Sequence, residues 1–144
     1  LNFGDIEVVQ DPEAPEVKGF SAEIDASTGE IDVGGHGTAL GGHERGTIQI
    51  QGINVLTDHS SGTIEILFSD IDEFTETAGS GINSGCNHFQ VTNIVSNLEN
   101  DIVTMDGTYY FGGTLTVPAG GPSFDGPQLR CVGSGTATLV YSEE

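Results

Sequence analysis

Two cysteines, Cys86 and Cys131, stand out as residues able to do chemistry in this chain. They could form a disulfide or ligate a metal, and Cys86, near His88, could supply a catalytic thiol. A zinc site needs three or four ligands, and no C-x-x-C pair is present to provide them. We therefore predict a Cys86 to Cys131 disulfide, with two buried free thiols as the alternative. A disulfide implies an oxidising compartment.

A cluster of acids in the segment SDIDEFTET could bind a hard cation such as Ca²⁺. Its members are Asp70, Asp72, Glu73 and Glu76. An EF-hand loop requires glycine at its sixth position, where this segment has Thr75, and a distal bidentate glutamate. A solvated acidic edge is therefore the expected structure, calcium being the alternative, and we assign no metal site.

Histidines and nucleophiles give no catalytic pattern. His36 and His43 lie in the glycine-rich segment 34–46 without a third ligand nearby, so we expect exposed loop histidines. The carboxylates are spread along the chain, and neither a G-x-S-x-G elbow nor a phosphate-binding loop occurs. We expect a protein that is not an enzyme and that uses no cofactor.

The net charge of −19 restricts the possible partners. Only Lys18, Arg45 and Arg130 oppose 22 acidic residues. Such a surface repels phosphate backbones and anionic head groups, so we expect neither nucleic-acid binding nor insertion into a membrane. No signal peptide or transmembrane run is present, and we expect an exported protein whose leader has been removed.

The residues that carry the core pattern lie in segment 108–120, TYYFGGTLTVPAG. Tyr109, Phe111, Leu115 and Val117 fall on one side of an extended backbone, because side chains alternate along a strand. Glycines 112 and 113 indicate a bulge or the close approach of another backbone. The run 133–141 alternates in the same way and predicts a last strand within the sheet.

Three hairpins are predicted from alternating segments separated by turn residues. The first joins Phe20, Ala22 and Ile24 to a strand containing Ile31 and Val33. The second joins segments 48–56 and 64–68, and the third joins segment 102–105 to the central strand through the Asp106-Gly107 turn. Turn signals about every ten residues indicate an all-β antiparallel sandwich of about eight to ten short strands.

The N-terminal residues have the composition of a strand, with apolar positions at Leu1, Phe3, Ile6 and Val8. The two pairs differ in parity, and a β-bulge would bring both to one side. We expect one domain over residues 1–144, with a first or donor strand at 1–9, an extended spacer rich in proline and glutamate at 10–19, and the sandwich body at 20–144.

Several segments resemble, in order and spacing, a bacterial family of secreted pilin-like domains of unknown function. They are LNFG, FSAEIDASTGEI, GGHERGTIQIQG, DGTYYFGGTLTVPAG and GSGTATLVY. The family is similar to spore-coat-U and common-pilus subunits, and the resemblance covers most of the chain, with segment 70–98 matching least. It implies an immunoglobulin-like sandwich exported to the cell surface.

We therefore expect a structural subunit of an extracellular filament, assembled when an extended segment of one copy completes the sheet of the next. Leu1, Phe3, Ile6 and Val8 are the candidates for the inter-subunit strand. The partners would be further copies of the chain, with a periplasmic chaperone and an outer-membrane assembly protein. The alternative is a cell-surface module that binds a glycan or a divalent cation.

Overall fold

The computed structural model describes residues 1–8, 10–11, 14–17, 19–53, 62–78, 86, 89–118 and 130–142. These residues form antiparallel sheets stacked as an all-β sandwich, which confirms the predicted fold class. Among them, no helix has the length and apolar character needed to cross a bilayer.

Fourteen strands lie in the described residues, more than predicted, because several are short strands of two to five residues. In chain order they are β1 Asp5–Val8, β2 Gln10–Asp11, β3 Ala14–Val17, β4 Phe20–Ile24, β5 Ile31–Gly35, β6 Gly37–Gly41, β7 Gly46–Ile50, β8 Thr63–Phe68, β9 Phe74–Ala78, β10 Gln90–Ser96, β11 Ile102–Val103, β12 Gly107–Val117, β13 Arg130–Gly133 and β14 Ala137–Ser142. A 3-10 turn at Glu99–Asp101 precedes β11.

The central strand predicted from the sequence is β12, the longest strand described. One edge of β12 pairs with β10, and the other pairs with β7 along its first half and with β4 along its second half. Strand β5 extends this five-stranded sheet beyond β4 as the predicted first hairpin. The alternation in β12 is confirmed, since Leu115 and Val117 are buried while Thr116 is exposed.

A second, three-stranded sheet has the order β11-β8-β14, and three two-stranded ribbons complete the described structure. The ribbons pair β1 with β6, β2 with β3 and β9 with β13. Two of the predicted hairpins are therefore wrong. Strand β7 pairs with β12 and β8 belongs to the other sheet, while residues 54–61, which contain the predicted turn, lie outside the described residues. Strand β11 pairs with β8 in the three-stranded sheet instead of with β12.

The spacer and the glycine-rich segment also differ from their predictions. Residues 10–19 contain the β2–β3 ribbon instead of a fully extended connector. Segment 34–46 contains β6, a strand that pairs with β1. Glycine lowers strand propensity, so the composition of this segment concealed a strand whose stability comes from its partner.

Two apolar clusters fill the interior. The first contains Phe20, Ala22, Val91, Leu115 and Val117. The second contains Ile50, Ile53, Ile64, Ile66 and Val103, and so joins the five-stranded to the three-stranded sheet. Burying each valine, leucine, isoleucine or phenylalanine of these clusters contributes about 1.5–3 kcal/mol, which makes them the main support of the sandwich.

A buried polar group links β10 to the 3-10 turn. The carboxylate of Asp101 accepts hydrogen bonds from the Ser96 backbone N–H at 2.7 Å and from the Ser96 hydroxyl at 2.5 Å. Ser96 is buried, so its donors have no ready access to water. Asp101 holds a left-handed backbone at φ 57°, which aspartate tolerates better than most residues.

Replacing Asp101 with alanine is expected to lower the free energy of unfolding by about 2 kcal/mol, because two buried donors lose their acceptor. Asp101→Asn keeps an acceptor oxygen and is the matched control, expected to retain most of the stability. Urea unfolding monitored by tyrosine fluorescence measures both variants. Equal stability of the alanine variant and the native chain would contradict this role.

The β4–β5 turn is held by Asp25. Its carboxylate accepts the backbone N–H groups of Thr28 at 3.0 Å and Ser27 at 2.8 Å. These hydrogen bonds, that of Thr28 first, lower the pKa of Asp25 below its ordinary value of 3.8. A lowered pKa means that the turn is fully supported above the ordinary value and loses this support as the pH falls through the lowered one.

Candidate functional site

The N-terminal segment, predicted as a first or donor strand, pairs within its own chain. Strand β1 runs antiparallel to β6, with Ile6 opposite Ala39 and Val8 opposite Gly37. Two further hydrogen bonds join Asn2 and Glu44, at 2.8 and 2.7 Å. This is the arrangement of an ordinary first strand, the alternative to a donor strand.

Phe3 and Ile6 pack against the first core cluster, as the predicted change of parity requires. Gly4, between them, adopts φ +72°, and a Cβ there would overlap the backbone of Gly41 and His43. Only glycine therefore fits the kink that turns both apolar side chains inward. A register shift occurs beside Asp5 as expected, but the extra residue lies in the partner strand, where Leu40 has no opposite residue.

The surface that receives Ile6 is formed around Gly37 of β6. A Cβ on Gly37 would lie 3.1 Å from Phe20, 3.1 Å from Val33 and 3.2 Å from Ile6. The missing side chain thus leaves the space in which these three apolar side chains meet. We call Gly37 with Phe20 and Val33 the acceptor site.

The other two residues of the proposed inter-subunit strand behave differently. Leu1 is 37% exposed and does not belong to the packed group. Val8 joins the β1–β6 ladder through its backbone, and its side chain lies outside the described residues. Among the described side chains of the segment, Phe3 and Ile6 therefore contact the core.

The predicted disulfide is present. Cys86 and Cys131 are joined with a Cα–Cα distance of 5.7 Å, and Cys86 is fully buried. Neither cysteine is free, so the thiol nucleophile considered for Cys86 does not exist in this state. His88, its proposed neighbour, lies outside the described residues. The bond is compatible with an oxidising, secretory compartment.

The acidic cluster does not assemble into a described cation site. Asp70, Asp72 and Glu73 are exposed, and the side chain of Glu76 lies outside the described residues. Ile71, between the first two, instead bridges to Val91 through backbone hydrogen bonds of 2.7 and 2.9 Å. No group of three His, Cys, Asp or Glu residues suited to a metal occurs among the described residues.

The two histidines of segment 34–46 lie at separate places in the fold. His36 donates its backbone N–H to the Gly19 carbonyl at 3.3 Å, in the connection between β5 and β6. His43 is partly buried beside the Gly4 kink, and its Nδ1 has no hydrogen-bond partner. A single ring nitrogen without further ligands does not make a metal site.

Arg45 has a structural role that the sequence did not indicate. Its Nη1 donates to the carbonyls of Ala26 and Ser27 at 3.0 and 2.8 Å, and its guanidinium lies 3.6 Å from the centre of the Tyr110 ring. A guanidinium stacks favourably on an aromatic face. Arg45 therefore ties the β4–β5 turn to the outward side of β12, and a count of charges could not have shown this.

Strand β14 leaves apolar side chains uncovered. Leu139 is 46% and Tyr141 41% exposed, in the alternating run that predicted a last strand within the sheet. The pairing places them opposite Ile66 and Ile64, on the inner face of the three-stranded sheet. The last strand lies within a sheet as predicted, and these two residues are only partly buried because β14 is at the edge of that sheet.

Comparison with known proteins adds no relative to this description. No protein-family model, no curated protein and no solved structure matches the chain.

Proposed function

We propose that this protein is a structural, non-catalytic subunit of an extracellular filament, in which the N-terminal strand of one copy completes the sandwich of the next. One observation carries the proposal: Phe3 and Ile6 of the N-terminal segment pack against the first core cluster. Among the described residues, the strand of this segment, β1, pairs with β6. The resemblance of the sequence to secreted pilin-like domains supports the same function.

Exchange of β1 between copies preserves every contact that β1 makes. In the closed chain, β1 fills the acceptor site of its own β6. In the exchanged form, the same Phe3 and Ile6 fill the site of a neighbour, so the two forms differ mainly in linker geometry and in entropy. Swapping an identical element is a low-cost route to association.

Exchange in one direction is heterologous, because the donor strand and the acceptor site are different surfaces. Such contacts form rings if the rotation closes and open fibres if it does not. Residues 9–19 connect the donor to β4, and the β2–β3 ribbon within them would have to open to lengthen the connection. Backbone pairing gives affinity, while the Phe3 and Ile6 contacts give specificity.

Secretion fits this proposal through the Cys86–Cys131 bond, which persists in oxidising surroundings. The net charge of −19 opposes association between copies. Salt screens such repulsion beyond about 8 Å at physiological ionic strength. Assembly through β1 should therefore strengthen as salt is added.

Two defective variants test the exchange directly. Ile6→Asp disables the donor strand and leaves the acceptor site intact. Gly37→Val disables the acceptor, since its side chain fills the space that Ile6 takes, at the contact distances of 3.1–3.2 Å given above. Each variant alone is expected to form no β1-linked complex in light scattering, and a mixture is expected to give β1-linked heterodimers and no longer β1-linked chain.

The native chain is expected to form filaments visible by electron microscopy. Leu40→Asp is the matched control, since it adds the same charge at an exposed residue of β6 and should leave assembly unchanged. A native chain that stays monomeric at all concentrations in physiological salt, together with a mixture that yields no heterodimer, would refute the proposed function.

A further inference from the structure

The outer edge of β14 is unoccupied among the described residues. Strand β14 pairs with β8 along all six of its residues, and the sheet order β11-β8-β14 places it last. Its other side therefore presents a row of backbone N–H and C=O groups. An edge of this kind is a template for pairing with a further strand.

At this edge, the inner face of the sheet is only partly covered. Ile66 and Ile64 on β8 are 1% and 4% exposed, whereas their opposite residues on β14, Leu139 and Tyr141, are nearly half exposed. A strand added beside β14 would bring side chains alongside both residues. The apolar area it would remove from water favours addition.

Edge strands are normally protected by charged residues or proline, and β14 has neither. Its sequence, ATLVYS, is uncharged in a chain of net charge −19. Strand β8, which lies next to β14 in the sheet, carries Glu65 opposite Val140. The absence of charge thus distinguishes the exposed edge from its neighbour and from the chain as a whole.

A second copy of β14 satisfies these conditions, and charge favours it over the charged strands. Strand β1 of another copy, with Asp5 and Glu7, would bring further acids into an acidic contact, whereas residues 137–142 of β14 carry no charge and the nearest acids in sequence, Glu143 and Glu144, follow the strand at its end. Strand β14 separates each Glu65 of β8 from the contact. The two Glu65 residues therefore lie three strand spacings apart, about 14 Å. Salt screens repulsion over that distance, since the screening length is about 8 Å.

We propose that β14 forms a two-fold antiparallel pair with β14 of a second copy, centred on Val140. This register places Leu139 beside the partner's Tyr141 twice, so that both half-exposed inner-face residues of each copy gain an apolar neighbour. The contact is self-complementary and closes after two copies. This contact is independent of the proposed exchange of β1. Between two filaments, it would join them side by side.

Cysteine cross-linking tests the register. The native cysteines are joined to each other, so Val140→Cys introduces the single free thiol. Directly opposite residues in an antiparallel pair have Cα atoms about 4.5–5.5 Å apart, within disulfide reach. Mild oxidation is expected to give a covalent dimer of Val140→Cys at least about tenfold faster than of Val95→Cys, which places a thiol at a more exposed valine on β10 that chance collisions reach more easily.

Substitution tests the interface without a thiol. Leu139→Lys places a charge on the inner face of the edge, which natural edge strands use to prevent pairing. Sedimentation equilibrium is expected to show a dissociation constant for the dimer raised at least about tenfold, while Leu40→Lys, at an exposed leucine of β6, leaves it unchanged. The melting temperature of both variants establishes that they are folded.

Equal cross-linking of the two cysteine variants, or a dissociation constant unaffected by Leu139→Lys, would overturn the proposal. Failure of this contact is distinguishable from failure of the filament proposal. With Leu139→Lys added to both partners, the Ile6→Asp and Gly37→Val mixture reports on β1 exchange alone. With Ile6→Asp as the parent chain of the cysteine and lysine variants, the Val140→Cys dimer and the measured dissociation constant report on β14 alone.

Discussion

Removal of the Cys86–Cys131 bond, by replacing both residues with alanine, is expected to lower the free energy of unfolding by about 4 kcal/mol. The bond closes a loop with a sequence separation of 45 residues. In the chain-entropy model, a loop of that length in the unfolded state loses about 13 cal/mol/K when it is cross-linked, which gives this free energy at 25 °C. Alanine is preferred to serine because Cys86 is fully buried, and a hydroxyl there would add a desolvation penalty.

Urea unfolding of the double variant beside the native chain measures the difference. The native chain unfolded with and without a reductant is the matched control, since it loses the cross-link without a change of sequence. Both comparisons should give a similar loss. An unfolding free energy within about 1 kcal/mol of the native value would show that the unfolded state is already compact around this loop.

The consequence for function concerns the compartment. A domain of this size typically has a stability of about 5–15 kcal/mol, so losing 4 leaves a substantially larger unfolded fraction. Expression in a reducing cytosol is therefore expected to give less folded protein than expression with export. This agrees with the proposed secretion and is independent of the proposed filament.

The faces of the strands were predictable, because burial imposes a period of two on side chains. Phe20, Ala22 and Ile24 are buried in β4, as their alternation indicates, and Phe3 and Ile6 reach the same cluster despite their different parity. Alternation records which side of a strand faces the interior, and that is a local property of sequence.

The partners of the strands were less predictable. Segments adjacent in sequence were expected to pair as hairpins, yet Ile50 of β7 and Ile64 of β8 meet across the second core cluster from different sheets. A turn signal such as Asp106-Gly107 shows where the chain reverses. It does not distinguish a reversal within a sheet from a crossing between two sheets, because both bury the same alternate residues.

The candidate sites divide in the same way. The N-terminal strand could be proposed from composition, whereas its acceptor could not, because Gly37 contributes by lacking a side chain. The open edge at β14 was also beyond sequence reasoning. Leu139 and Tyr141 have the alternation of covered residues, and whether a covering element exists depends on how the sheets are assembled.

Gly112→Ala is expected to lower the free energy of unfolding by about 3 kcal/mol or more. Gly112 is buried near the middle of β12, and a Cβ there would overlap the carbonyl oxygen of Ile24 and lie 2.9 Å from the backbone nitrogen of Ala26. The obstacle is backbone held in the β4–β5 hairpin, so it cannot move aside as a flexible side chain would. Overpacking of this kind costs about 1–3 kcal/mol, and more when the backbone must shift.

Gly107→Ala is the matched control on the same strand. Its Cβ would meet the Tyr109 hydroxyl at 3.6 Å, an ordinary contact, so the variant should lie within about 0.5 kcal/mol of the native chain. Urea unfolding of both variants compares them directly. Equal stability of the two would mean that β12 and the turn after β4 separate at no cost. The close approach inferred for Gly112 from its place in an apolar strand would then carry no energetic cost. That result would be inconsistent with a sandwich in which β12 pairs along its length with strands on both sides.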